Sequence, residues 1–263
     1  MARLVPTIEN IKRLKIQPTE GEWFLLNYLM ENLKEEVEIY FKPFINGDEP
    51  DIVLIEKNVG LTIIEVKDWD LETFYITSDN IWYKKNNSST KSPFDKVKEY
   101  KDNMFNLHVN GLLELKLQFD DQKKSIYGKI KTVVYFHNTS KRELSEFIDN
   151  QIGELKKENK ENNYKYKNKL IDYHEYDNKR LSIKEKVDSV RDEFKYSAVT
   201  NDNADKITLP KNNGIDILND KIYKEFIRYL QPSIHTLDMG KNINYTDEQK
   251  KFIQSKQEFQ KIK

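Results

Sequence analysis

The chain has 263 residues, with 44 Lys+Arg against 44 Asp+Glu and no cysteine. That balance leaves no overall charge to attract nucleic acid or a membrane surface, so any such face must come from local clustering. The lack of cysteine excludes disulfides and thiolate metal sites. The length suits one large domain or a core with an appendage. No apolar run reaches signal-core or membrane-spanning length, so a soluble cytoplasmic protein without a membrane partner is expected.

Residues 1–18, with Pro6 and Pro18, read as a lead-in carrying a short amphipathic piece. Thr19 then precedes Trp23, Leu25, Leu26, Leu29, Met30 and Leu33 at helical spacing, and Thr19 with Glu22 forms a capping box. Residues 37–45 alternate as a first strand ending near Pro43. Residues 50–69 hold two short apolar runs joined by a tight turn, and residues 74–77 and 81–84 form a further hairpin turning at 78–80. Ser92 and Pro93 open a long helix with Val97, Tyr100, Met104, Leu107, Leu112, Leu113 and Leu117 near one stripe, which Gly111 breaks or kinks. Residues 130–136 are another buried strand.

Beyond this, residues 144–157 read as a helix, and 156–169, almost entirely Lys, Glu, Asn and Tyr, as a solvated loop or exposed helix. Residues 170–174 read as a small edge strand, 178–196 as weakly helical and 201–214 as a linker. Residues 216–229 form an amphipathic helix that stops before Pro232. The order of elements predicts a mixed α/β fold, a central sheet flanked by helices, with a mainly helical C-terminal part.

The chemistry concentrates in residues 50–69. Both faces of each run are apolar, which suits a sheet covered on both sides, yet Asp51, Glu65 and Lys67 interrupt them. With Asn58, Val59 and Gly60 as a three-residue loop and Gly60 left-handed, Lys57 pairs with Leu61, Ile55 with Ile63, Val53 with Glu65 and Asp51 with Lys67. Asp51, Glu65 and Lys67 then share one face, and a loop one residue longer or shorter separates them. Such a set suits metal-dependent phosphodiester cleavage: hard oxygens for Mg²⁺, a metal-polarised phosphate and water, and an ammonium to orient water or stabilise charge. The bland alternative is a hairpin whose polar ends pair as a surface salt bridge. That alternative leaves unexplained why charges interrupt runs that are apolar on both faces.

Gly21-Glu22, Pro50-Asp51, Gly60-Leu61 and Glu65-Val66-Lys67-Asp68-Trp69 together resemble the nuclease-related domain of the PD-(D/E)xK nuclease superfamily, over roughly residues 19–137. The resemblance implies a Mg²⁺- or Mn²⁺-dependent nuclease core acting on DNA. It implies Asp51 and Glu65 as metal ligands, Lys67 as the catalytic lysine and Glu22 as the first-helix carboxylate at the metal, a role that competes with its cap. Where the family carries a Gln at the start of the later helix, this chain has Lys96, a candidate DNA phosphate contact.

Residues 230–249, with Thr246 and Gln249, resemble the segment that joins such domains to UvrD/Rep-like superfamily-one helicases, yet no phosphate-loop motif follows. The expected organisation is a lead-in over 1–18, a nuclease core over 19–140, a polar, partly helical extension over 141–200, a linker over 201–214 and a helical connector over 215–263 towards a helicase domain. A role in phage defence would fit such a nuclease-helicase. The competing reading is a catalytically silent module that docks DNA or the helicase on the same fold. His108, His137, His174 and His235 lack metal-ligand spacing, Asp68 and Trp69 read as turn and packing residues, and Lys84, Lys85, Lys123 and Lys124 are further candidate phosphate contacts.

Overall fold

A computed structural model describes residues 2–45, 47–77, 81–86, 88–109, 111–118, 126–211 and 218–232. Its strands are β1 (Arg3–Val5), β2 (Glu38–Phe41), β3 (Pro43–Phe44), β4 (Ile52–Glu56), β5 (Gly60–Lys67), β6 (Phe74–Ile76), β7 (Trp82–Lys84), β8 (Ser89–Thr90), β9 (Ile130–Phe136), β10 (Ala198–Thr200) and β11 (Gln231–Pro232). Its α-helices are α1 (Ile8–Ile11), α2 (Glu20–Asn32), α3 (Pro93–Asn103), α4 (Leu112–Gln118), α5 (Lys141–Lys167), α6 (Tyr173–Ser197) and α7 (Asp220–Tyr229).

Six strands form one mixed sheet in the order β1-β2-β4-β5-β9-β10. The β4–β5 hairpin is antiparallel, and β9 lies parallel to β5 on its far side. Period-two alternation sends Ile52, Leu54, Ile64 and Val66 to one face, where Leu25, Leu26 and Leu29 of α2 meet them. Val53, Ile55, Leu61 and Ile63 go to the other face, against Tyr100, Met104 and Phe105, with Ile222 and Phe226 of α7 in the same cluster. Each such fully buried apolar side chain contributes about 1.5–3 kcal/mol. The sheet is therefore covered on both sides, as its doubly apolar strands demand.

The helix expected from Ser92 ends in a wider π turn over Met104–His108 and restarts as α4 after Gly111, whose φ is +87°. The β6–β7 hairpin pairs Tyr75 with Tyr83, and its turn at 78–80 lies outside the described residues. Trp82 sits on this hairpin at the centre of an aromatic cluster with Trp69, Phe74, Phe94, Phe147 and Phe194.

Four expectations change. The lead-in contributes an edge strand, since β1 pairs in parallel with β2. The strand expected over 37–45 breaks at Lys42, whose φ is +44°. Residues 170–174 are not an edge strand: Asp172 caps α6 by accepting the Glu175 N–H at 2.8 Å, and the stretch turns one long helix into the next. Of the stretch read as a linker, the described residues 201–211 run along the core, burying Ala204 and Ile207 and bonding Thr62 Oγ1 to the Thr208 carbonyl at 3.1 Å.

Candidate active site

The β4–β5 hairpin decides which side chains meet. Its observed register pairs Glu56 with Gly60, Ile55 with Leu61 and Val53 with Ile63. That is two residues displaced from the expected register. The loop is Lys57, Asn58 and Val59, and Asn58 takes the left-handed conformation at φ +64°. Asn tolerates that conformation better than most residues, so the turn can sit one position earlier than the glycine suggests. Gly60 is needed instead for close approach, because a Cβ there would lie 2.6 Å from the Lys129 carbonyl oxygen. A two-residue slip preserves strand parity, so Asp51, Glu65 and Lys67 keep the shared face. Continued past Ile52, the ladder brings Asp51 opposite Glu65 rather than Lys67.

Asp51 follows Pro50, where β4 has yet to begin, and its Oδ2 accepts the Val66 N–H at 2.7 Å. Burial, then the like charge of Glu65, pushes the Asp51 carboxyl up to about 7; Glu22 adds to the rise, and the Val66 hydrogen bond and Lys67 oppose it. Glu65 is 1% exposed, and its Oε1 accepts both Lys67 Nζ at 2.5 Å and Lys96 Nζ at 2.8 Å. Glu65 Oε2 is buried with no hydrogen-bond partner. Lys96 comes from the first turn of α3, which Ser92 caps through the Asp95 N–H. Burial pulls the Lys96 ammonium down, but its hydrogen bond to Glu65 and the charge of Glu65 outweigh this and raise it overall.

Glu22 holds the capping role, and its second oxygen is taken by a lysine. Its Oε2 accepts the Thr19 N–H at 2.9 Å in the capping box, while its Oε1 pairs with Lys42 Nζ at 2.8 Å. Asp68 clamps the same helix end: its Oδ1 accepts the Gly21 N–H at 3.0 Å. A carboxylate at a helix N-terminus is favoured by the unpaired N–H groups there. Asp68 thereby ties the strand that carries Glu65 and Lys67 to the helix that carries Glu22.

Sequence reasoning missed Lys42, the clamp made by Asp68, and Tyr100. Tyr100 OH donates to the Glu49 carbonyl at 3.2 Å, and its ring lies 5.5 Å from Lys96 Nζ. Asp68 stood inside the family string, and Tyr100 one turn beyond Lys96. No spacing signals Lys42, which reaches the site because its N–H bonds the Asp51 carbonyl at 2.8 Å. Trp69 packs on Phe74 at 4.4 Å. His108 pairs with Asp48 at 3.1 Å, and His137 packs against Phe24. Lys84 lies over the Phe74 ring, while Lys123, Lys124, His235, Thr246 and Gln249 lie outside the described residues.

Among the described residues no three His, Cys, Asp or Glu side chains form a ready metal cage. Glu22 has both oxygens engaged, which leaves Asp51 and Glu65 as the donor pair. Two carboxylates suffice for Mg²⁺, which keeps several waters and shares substrate oxygens. The orphaned Glu65 oxygen and the Asp51 carboxyl held up by its neighbour's charge fit a divalent cation, which would satisfy one and relieve the other.

A mixed sheet flanked by helices, with a carboxylate pair and a lysine on one face of its central hairpin, is a nuclease-like fold. The family model described as "NERD: Nuclease-related domain" matches residues 17–137, so this part of the chain is similar to nuclease-related domains. No curated protein and no solved structure matches the chain. No helix among the described residues is long and apolar enough to cross a membrane.

Proposed function

We propose that this domain is a Mg²⁺- or Mn²⁺-dependent deoxyribonuclease that hydrolyses phosphodiester bonds, working in its full setting beside a superfamily-one helicase domain. The observation that carries the reading is the carboxylate–lysine cluster on one face of the β4–β5 hairpin, with a buried Glu65 oxygen that lacks a partner. A bound cation would supply a polarised phosphate and a water of lowered pKa.

The protein's own part is positioning and charge. Asp51, just ahead of β4, and Glu65, on β5, would present oxygens to the cation. Lys67, held two residues from Glu65 on the same strand, would orient the attacking water or stabilise charge on the phosphate. Lys96 offers a second ammonium to phosphate. Glu22 adds negative charge near Asp51 while anchoring Lys42. The helicase partnership is supported by the likeness of residues 230–249 to a helicase-joining segment.

Lys67→Ala tests the reading. Metal-dependent cleavage of single- or double-stranded DNA should fall by about 100-fold or more, with DNA binding retained. If the unmutated chain cleaves neither under Mg²⁺ nor under Mn²⁺ while still binding DNA, the domain is a docking module instead.

A further inference from the structure

Two ammonium groups share one oxygen of Glu65, and they are not equivalent. Lys67 leaves the same strand two residues on, and its side chain is 20% exposed. Lys96 belongs to a different element, the first turn of α3, and is 36% exposed. While it bonds Glu65, its ammonium also lies 5.5 Å from the ring of Tyr100, one turn along its own helix, as Lys67 Nζ lies 5.5 Å from the ring of Trp69. Of the two, Lys96 is the more exposed, and it sits on a helix rather than on the strand that carries Glu65.

Charge counting around the pocket points the same way. Three carboxylates, Glu22, Asp51 and Glu65, face three lysines, Lys42, Lys67 and Lys96. With all three carboxylates ionised the cluster is neutral. Adding a divalent cation beside Lys96 and Lys67 would gather four positive charges around Glu65 and Asp51, and like charges a few ångströms apart repel strongly where water is sparse. A neutral side chain at this position would carry no such cost.

We propose that Lys96 acts as a tethered counter-ion that keeps metal off Glu65 until a nucleic-acid phosphate draws it away, so that metal and DNA load together. The inference rests on the metal-dependent reading above and adds a regulatory step to the same site. Departure of Lys96 leaves Glu65 Oε1 with Lys67 alone, beside the already unpartnered Oε2. The ammonium that has left is then positioned to hold a phosphate close to the cation. Because coupling between two ligands is reciprocal, DNA must raise metal affinity by the factor with which metal raises DNA affinity.

The test is a Mn²⁺ titration of the whole chain by electron paramagnetic resonance, with and without a cleavage-resistant phosphorothioate oligonucleotide. Without DNA, Lys96→Gln should bind Mn²⁺ at least about tenfold more tightly than the unmutated chain, Lys96→Met should do the same, and Lys96→Arg should not. With DNA, the affinity of the unmutated chain should rise, and the rise should shrink in the Gln and Met variants. Circular dichroism checks that each variant folds. Equal Mn²⁺ affinity in the unmutated, Gln and Met proteins overturns the role of Lys96 and leaves the nuclease reading standing. If no variant binds Mn²⁺ at all, the metal-dependent reading and this inference fall together.

Discussion

Asp51 Oδ2 accepts the Val66 backbone N–H at 2.7 Å. In the continued β4–β5 register Val66 falls opposite Pro50, so the Asp51 side chain takes over the ladder where the strand backbone is ending. The carboxylate read as a metal ligand is thus also a structural acceptor, and its neighbourhood resists ionisation.

That conflict predicts a pH effect. Burial and the charge of Glu65 hold the Asp51 carboxyl up to about 7, against about 4 in an unfolded chain. The folded state binds more protons across that window. Its contribution to stability is therefore complete below the unfolded value and is lost as pH rises through about 7. Asp51→Asn keeps an acceptor for Val66 but cannot ionise. Thermal melts without divalent metal should show the variant gaining on the unmutated protein between about pH 4 and pH 7, and levelling off above that. An unchanged difference between the two across that range would refute the account.

Metal should reverse the same penalty. At pH 8, millimolar Mg²⁺ or Mn²⁺ should raise the melting temperature of the unmutated chain, because a cation bound only to the folded state stabilises it. Asp51→Asn and Glu65→Gln should each lose most of that rise. Chelator should abolish it in the unmutated protein.

Gly21 marks the closest approach of α2 to the strand end. A Cβ there would lie 2.0 Å from Asp68 Oδ1 and 2.7 Å from His137 Cβ. Gly21→Ala should push the first turn of α2, with Glu22, away from the sheet and break the Asp68 clamp. Urea unfolding should reveal a loss of about 1–3 kcal/mol, and cleavage should fall with it. An alanine variant of unchanged stability would mean that the helix end is free to shift.

Trp82 is fully buried among five aromatic rings, and its indole N–H has no hydrogen-bond partner. Trp82→Ala should cost about 3–5 kcal/mol through the cavity it leaves. Trp82→Phe removes no hydrogen bond and keeps a ring in place, so its cost should stay below about 2 kcal/mol. Chemical denaturation of the two variants distinguishes packing from polar anchoring; equal losses would contradict the packing account.

Much of this arrangement was legible in the chain because local periodicity carried it. The capping box at Thr19 and Glu22, the helix opened by Ser92 and Pro93, its break near Gly111 and the 130–136 strand all follow short-range rules that the surroundings do not override. The β4–β5 hairpin was placed correctly but slipped by two residues, since Asn58 and Gly60 can each supply a left-handed turn position and only the packing of Gly60 against Lys129 and Pro210 selects between them. The edge strands β1 and β10 were missed because three residues carry no readable period. The turn at 170–174 was misread because an apolar pair in a polar run resembles a strand until the two long helices that it joins are seen.

From the chain alone came the sheet and its covering helices, and the shared face of Asp51, Glu65 and Lys67, because side chains alternate along a strand and a slip of two leaves that alternation intact. Tertiary structure alone decided what neutralises them. Lys42 and Lys96 reach Glu22 and Glu65 from elements far apart in the chain, and a contact between distant segments leaves no trace in local spacing. The same three-dimensional convergence left one oxygen of Glu65 without a partner.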